Sequence, residues 1–315
     1  MRLHKGIPRQ PVFEKGCVLT IGNFDGVHLG HKAVVEKLVE RGKEMALPVV
    51  IMIFEPQPLE FFLEHNAPSR LSRLREKAIR LAKLPVDDLV IVRFNKRLAD
   101  YNPAEFIDQV LVKGLNAKYL VIGDDFRFGK ARQGDFGLLK EKGEIWGFKV
   151  EDTGSLLIDG ERISSTLIRN ALASDDLARA KALLGYDYSV CGRVAHGDKR
   201  GRTLGYPTAN ILMFRKNVPI KGVFAVTVTG INESEICGVA NVGVRPTIEG
   251  DKKVVLEVHL FEFDQDIYGR YVTVHFKKKI RPERRFQSVE ELKAQIVKDV
   301  AEAKAAFAVT MEDNG

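Results

Sequence analysis

Short apolar runs alternate with stretches of helical periodicity through the first half of the chain. Cys17–Gly22, Val49–Phe54, Leu89–Phe94, Tyr119–Gly123 and Phe148–Asp152 read as strands buried on both faces. Between them Gly30–Met45, Ser72–Leu84, Pro103–Lys113 and Phe136–Lys142 carry the spacing of helices. This alternation predicts an α/β fold, a parallel sheet covered on both faces by helices. In such sheets ligands bind beyond the carboxyl ends of the strands, where loops and helix N-termini converge. The polar strings Asn23-Phe24-Asp25-Gly26, Glu55-Pro56-Gln57-Pro58 and Asp124-Asp125-Phe126-Arg127 each follow a predicted strand directly and so fall at that edge.

After Thr166–Leu184 the pattern changes. Ser189–Arg193, Val223–Thr229, Ile236–Asn241, Val254–Phe263 and Tyr271–Phe276 alternate apolar and polar residues and are separated by Gly, Pro and Asn. Period-two segments without intervening helices predict a closed antiparallel barrel or a sandwich. A last helix is expected from Ser288, with Glu291 completing a capping box. The change near Gly185 divides residues 1–184 from 185–315 as two expected domains.

The length of 315 residues agrees with two domains, and an apolar fraction of 45% suffices for ordinary cores. Apolar runs such as Pro48–Phe54 are far shorter than the roughly 20 residues of a membrane helix. The N-terminal Met1-Arg2-Leu3-His4-Lys5-Gly6 leads into Pro8 and Pro11 and lacks the apolar core of a secretion signal. Cys17, Cys191 and Cys237 are odd in number and widely spaced, which argues against a disulfide framework or thiolate zinc site. A cytoplasmic protein is expected. The net charge of +7 suits an anionic partner. The densest basic cluster, Lys277-Lys278-Lys279 with Arg281, Arg284 and Arg285, lacks interleaved stacking aromatics and reads as solvated surface. Charge alone does not choose between nucleic acid and nucleotides or phosphorylated small molecules; small-molecule substrates, with no nucleic acid and no membrane, are the expected partners.

The densest chemistry lies in Gly22-Asn23-Phe24-Asp25-Gly26-Val27-His28-Leu29-Gly30-His31. Two histidines three residues apart at a helix start share one face, and Gly30 leaves room for a ligand to approach. The first-turn N–H groups and the imidazoles are donors for phosphate oxygens. Such a cradle suits nucleotidyl transfer, where the protein chiefly positions reactants and stabilises developing charge. Taken alone, histidines at this spacing are more often surface or core residues. Gly123 to Lys130 is not a P-loop, because its spacing is one residue too long and Ala131 stands where Ser or Thr would hold magnesium. Ser164-Ser165-Thr166 reads equally as a helix N-cap or as a phosphate contact, and Arg169 would sit one turn further on, where a guanidinium reaches pyrophosphate.

With its flanking residues the histidine segment resembles the GxFDGxHxGH signature of FMN adenylyltransferases, within the HxGH nucleotidyltransferase superfamily. Gly123-Asp124-Asp125-Phe126-Arg127-Phe128-Gly129 resembles the flavin-site motif of that family. Ile163-Ser164-Ser165-Thr166-Leu167-Ile168-Arg169 resembles its ISSTxIR motif. The resemblance implies a Rossmann-like domain in which His28 and His31 hold the ATP phosphates, within a site built from Gly22, Asn23, Asp25 and Gly30. Ser164, Ser165, Thr166 and Arg169 complete a lid, and Asp125, Phe126, Arg127 and Phe128 bind flavin.

The second half carries His196-Gly197-Asp198-Lys199-Arg200-Gly201-Arg202-Thr203-Leu204-Gly205-Tyr206-Pro207-Thr208-Ala209-Asn210. Its glycines, Gly197 and Gly205 among them, let backbone fold close around phosphates, although Gly197–Gly205 taken alone reads rather as a glycine-rich hairpin with a basic tip. Thr208 and Asn210 offer hard oxygen ligands suited to Mg2+. Pro207-Thr208-Ala209-Asn210, Asn241-Val242-Gly243-Val244-Arg245-Pro246-Thr247 and Glu257-Val258-His259 before Asp266-Ile267-Tyr268-Gly269 resemble the riboflavin kinase family. The resemblance implies a six-stranded β-barrel, Arg245 at the flavin and Glu257 as general base. By alternation alone, Glu257 shares a strand face with His259, Phe261 and Phe263 and reads as surface, and His259 reads as structural.

In order and completeness the motifs resemble the bacterial bifunctional riboflavin kinase/FMN adenylyltransferase (FAD synthetase) family across the whole chain. That implies riboflavin, FMN and ATP as substrates with Mg2+. A rival from another class is a regulatory or nucleic-acid-binding protein on the same folds, since HxGH sites also occur in tRNA-charging enzymes. The sequence carries no KMSKS-like loop and no anticodon-reading domain to support it. A lesser rival keeps only one of the two activities.

Overall fold

The computed structural model describes residues 1–7, 12–123, 125–154, 156–196, 205–215, 217–246 and 252–312. By packing, the chain forms two compact units, residues 1–68 with 72–165 and residues 69–71 with 166–315. This division lies ahead of Gly185, where the sequence pattern changes.

The first unit is built on a six-stranded sheet of β1 (Arg2–Lys5), β2 (Cys17–Ile21), β3 (Val49–Glu55), β4 (Asp88–Arg93), β5 (Ala117–Ile122) and β6 (Lys149–Asp152). The spatial order is β1-β4-β3-β2-β5-β6, and every pairing is parallel. Alternate residues feed two cores: Leu19, Ile21, Met52, Leu120 and Ile122 lie on one side, Val18, Ile51, Ile53 and Val121 on the other. The second core is covered by Val35 and Leu38 of α1 (Leu29–Met45) and Leu81 of α3 (Leu74–Leu81). Strands added after β2 run outward to one side as β3 and β4, whereas β5 and β6 lie on the other. The chain direction of the sheet therefore reverses between β2 and β5, and their loops diverge to leave a crevice.

The sequence reading did not anticipate β1. Its four residues are too short to show a period, and it is held by Asp88, which is fully buried. Arg2 Nε and His4 Nε2 both reach Asp88 Oδ1, at 2.8 and 2.7 Å. The expected helix from Pro103 is α5 (Pro103–Phe106) widened into a π-turn at Ile107–Val112. Short helices α2 (Pro58–Leu63) and α4 (Lys96–Ala99) were also unforeseen, and α6 (Phe136–Trp146) runs beyond the expected end.

In the second unit α7 (Ser165–Ala173) and α8 (Leu177–Leu184) precede a closed barrel. It comprises β9 (Ser189–Ala195), β10 (Ala209–Leu212), β11 (Gly222–Thr229), β12 (Ile236–Pro246), β13 (Lys252–Leu260) and β14 (Tyr271–Arg281). The order is β10-β13-β12-β11-β14-β9, with antiparallel pairing throughout. Closure buries Val194, Ile211, Phe224, Val226, Val242, Leu256, Val258, Val274 and Phe276. Strand β10 was missed because Pro207 and Asn210 mask its short alternation. Strand β13 stops at Leu260, before the expected Phe263, because Glu262 takes up a left-handed conformation at φ +53°.

The last helix, α9 (Val289–Glu312), begins as expected at Ser288, whose Oγ accepts from Glu291 N at 3.1 Å. The other half of the expected capping box is different. The Glu291 carboxylate accepts from Gln287 N at 2.9 Å, drawn one residue back by its ion pair with Arg284. Arg281 Nε and Nη2 grip Asp299 at 2.8 Å each and tie α9 to β14.

Candidate active sites

The crevice of the first unit is a cavity of about 680 Å³. Its wall comes from the turn after β2, the start of α1, the loop after β5 and the Thr153–Ser165 segment, with Phe54, Phe62 and Phe94 on the apolar side. Of the residues singled out in sequence, Gly22, Asn23, His28, Gly30, His31, Asp125, Phe126, Arg127, Phe128, Ser164 and Ser165 line it together.

The two histidines are held by each other's backbone. His28 is the N-cap of α1, and its Nδ1 accepts from His31 N, while His31 Nδ1 accepts from His28 N, each at 3.3 Å. An acceptor nitrogen carries no proton in a neutral imidazole, so both rings are fixed as Nε2–H tautomers. The rings stack at 3.6 Å between centroids, and Phe24 stacks behind His31 at 4.6 Å. Burial, then the neighbouring His28, then the Lys77 ammonium push the His31 pKa well below its ordinary value. The outcome is a neutral His31 ring stacked on His28, with the Nδ1 atom of each committed to the other's backbone N–H. Gly30 gives this packing room: a Cβ there would lie 3.2 Å from His28 Cε1 and Nδ1, close enough to press on the ring, and 3.5 Å from the Ile163 carbonyl oxygen.

On the opposite wall Phe126 and Phe128 stack at 5.8 Å, and Phe128 packs on Phe106 at 5.2 Å, leaving a flat apolar surface. Asp125 Oδ1 pairs with Arg162 Nη2 at 3.2 Å. Arg127 Nη1 donates to the Phe126 carbonyl at 2.9 Å.

Three expected residues stand elsewhere. Asp25 is only 1% exposed and is not part of the wall. Its Oδ1 accepts from Ser72 N at 2.9 Å, and its carbonyl accepts from Ser165 Oγ at 3.0 Å. Thr166 and Arg169 are also outside the wall. Thr166 is exposed, and Arg169 Nε is engaged by the Ser69 carbonyl at 2.6 Å. A guanidinium bound to a backbone acceptor has given up part of the fork it would offer to a pyrophosphate.

The second unit has its own cavity of about 420 Å³, lined by Thr208, Asn210, Asp264, Asp266 and Tyr268 among others. Strand register decides what stands beside it. Glu257 of β13 lies opposite Asn210 of β10 on one side and opposite Asn241 of β12 on the other. Alternation keeps Leu256 and Val258 inside the barrel and puts half-buried Glu257 on its outer face with His259. Glu257 is not in the described lining of the cavity. His259 is tied to the backbone that leads into β10. Its Nδ1 donates to the Pro207 carbonyl at 2.9 Å, and Tyr206 meets its ring edge-on at 5.3 Å. That contact fixes the segment bearing Thr208.

Gly205 is exposed, with φ +84° and no atom within 4 Å of a would-be Cβ. Gly197 and the Arg245 side chain lie outside the described residues. For Mg2+, Thr208 and Asn210 are hard oxygen donors of the kind that hold it by one or two protein ligands plus substrate phosphates. Among the described residues no cluster of three or more His, Cys, Asp or Glu forms a metal cage.

Sequence reasoning singled out none of Ser72, Lys77 and Arg162, and it met Asn241 only as part of a family motif. Lys77 in Leu74-Arg75-Glu76-Lys77 reads as one more charge on a helix surface, yet it is fully buried. Asn241 needed the register of β12 to be placed.

Comparison with known proteins agrees with both halves. The family model for FAD synthetase matches residues 10–167, and that for riboflavin kinase matches residues 184–307. The chain is 50% identical over 311 residues to the bifunctional riboflavin kinase/FMN adenylyltransferase of Escherichia coli (strain K12), covering 98% of this chain and 99% of that one. The enzyme of the same name from Pseudomonas fluorescens is 47% identical, with 98% of each chain covered. A crystal structure described as a macrolide-efflux protein from Streptococcus pneumoniae shares the fold, with a TM-score of 0.79, 30% identity and coverage of 95% and 97%. Among the described residues no helix is long and apolar enough to cross a membrane. A stacked two-histidine cap over a parallel sheet, a closed antiparallel barrel, and identity across nearly the full length place this chain in the bifunctional riboflavin kinase/FMN adenylyltransferase family.

Proposed function

We propose that the two cavities divide the labour of making FAD, with residues 1–184 adenylylating FMN and residues 185–315 phosphorylating riboflavin. The observation that carries the first half is the reciprocal His28–His31 cap. It presents two fixed N–H donors beside the first turn of α1, where an anionic phosphate chain is favoured. An FMN phosphate oxygen attacks the α-phosphorus of ATP, the bond to the β-phosphate oxygen breaks, and pyrophosphate leaves with its charge met by these donors. Phe126 and Phe128 offer a surface for the flavin ring, with Asp125 and Arg127 at its polar margin. No protein nucleophile takes part. Neutral histidines suit this role, because their donor strength does not depend on a proton captured at physiological pH.

In the barrel the same reading gives Glu257 the proton of the riboflavin 5′-hydroxyl as that oxygen attacks the γ-phosphorus and ADP leaves. Asn210 and Asn241, directly across the ladder from Glu257, are support for this placement. Thr208 and Asn210 would hold Mg2+, whose charge offsets that of the transferring group. Three free cysteines fit a reducing, cytoplasmic setting.

The test is to incubate the purified protein with riboflavin and MgATP and separate the flavins by chromatography. FMN followed by FAD, with ADP and pyrophosphate released, is expected. FMN without FAD would leave a single activity, and neither product would return the regulatory rival.

A further inference from the structure

Lys77 has no exposed surface, and none of the roles above uses it. An ammonium taken wholly out of water is costly unless the interior gives it partners. Its Nζ donates to the carbonyl of Asn23, a residue of the first cavity's wall. The segment that leads into α3 grips the same turn twice more: Ser72 N donates to Asp25 Oδ1 at 2.9 Å, and Gly26 N donates to Ser72 Oγ at 2.8 Å. Phe24, between these grips, and Val27, just after them, hold left-handed backbone, at φ +47° and +44°. That conformation is costly for side chains other than Gly, and it persists where the surroundings over-determine it. Phe24 is the ring that backs His31, which in turn backs His28. The clasp is thus continuous from α3 to the phosphate donors.

A clasp alone needs only a neutral donor. A cation buried behind a wall that receives a polyphosphate does more, since little solvent screens it and it needs no reorganisation as charge develops. Its reach to the histidines is visible in its contribution to keeping His31 unprotonated. We propose that Lys77 is a positioning residue for adenylyl transfer, which holds the Asn23–Phe24 turn against the stacked histidines and fixes a positive charge behind them. The inference rests on His28 and His31 being the phosphate donors.

The test uses the full-length protein; riboflavin phosphorylation reports on the second unit, and the circular dichroism and thermal melt of each variant report on the fold of the first. Lys77→Met keeps the apolar stem and removes the charge and its hydrogen bond. We expect kcat for FAD formation from FMN to fall about 10²-fold, the scale of a misplaced reacting group. KM for FMN should stay within about threefold and riboflavin phosphorylation unchanged, because the loss falls on the transition state. Ser72→Ala loosens the clasp without touching the charge and should cost about tenfold less than Lys77→Met. Equal losses in the two variants, or a Lys77→Met enzyme within about threefold of the parent, would overturn the assignment. If Lys77→Met does not fold, Lys77→Arg decides. A kcat within about tenfold of the parent supports a required cation, and abolished FAD formation beside intact phosphorylation refutes it. His28→Ala separates the two layers: FAD formation surviving there removes the histidine reading, whereas survival only in Lys77→Met removes this inference alone.

Discussion

The two cavities assemble their chemistry by opposite means. The first draws His28, Asp125 and Ser164 from distant loops that meet only because the sheet order reverses between β2 and β5. Beside the second, Asn210, Glu257 and Asn241 form one row across three neighbouring strands, and of these only Asn210 is in its described lining. A loop-built site has no ladder to fix its side chains, so it needs clasps such as the reciprocal histidine cap, the Ser72–Asp25 bonds and the Lys77 anchor. A ladder-built site inherits its spacing from backbone hydrogen bonds. Its side chains need less local support, and register errors rather than loop errors would destroy it.

The contrast makes the two sites separable by mutation. Glu257→Gln should slow FMN formation from riboflavin by roughly 10²–10⁴-fold, the usual worth of a general base, with FMN-to-FAD conversion nearly intact. Chromatography of the two half-reactions measures this, and a joint fall would break the division. The double variant His28→Ala/His31→Ala should cut FAD formation by about 10²–10³-fold while FMN accumulates from riboflavin. Smaller in effect, Gly30→Ala places a methyl group 3.2 Å from the His28 ring and should lower FAD formation by roughly tenfold through displaced donors. The barrel activity is the control in both.

The smallest effect expected is on pH-dependent stability. Facing His28 and Lys77, His31 has a lowered pKa, so between that value and 6.5 the unfolded chain binds a proton that the folded chain refuses. Stability is complete above about pH 6.5 and falls as the pH drops below it. Glu151 acts in a lower window: hydrogen-bonded by Arg41 first, then Lys37 and Tyr119, its carboxyl is pulled down to about 2. Its contribution is complete above its ordinary value and lost as the pH falls toward 2. Melting temperature against pH for the parent and His31→Gln should therefore differ in slope just below about pH 6.5 and run parallel above it. Parallel curves throughout would remove the neutral-histidine argument.

Much of the frame was legible in the residues. Apolar runs such as Val49–Phe54 can only be strands buried on both faces, and the switch to period two after Tyr188 announces a different unit. The Gly22–His31 string points to a phosphate cradle once its histidines are read together with their flanking residues. What failed to show was whatever depends on partners remote in sequence. Asp25 resembles a site residue by position yet turns to Ser72, and Arg169 is committed to the Ser69 carbonyl. Glu257 looks like a surface carboxylate until its two asparagine neighbours are known.

By itself the sequence determined two units, their strand periods and the residue types available for phosphate chemistry, because these follow from local side-chain pattern and backbone propensity. Tertiary structure alone decided the tautomers of His28 and His31, the burial of Lys77 and the company Glu257 keeps. Each of those depends on which distant backbone or side chain supplies a hydrogen bond, a charge or a desolvating surface, and periodicity within a segment carries no record of that.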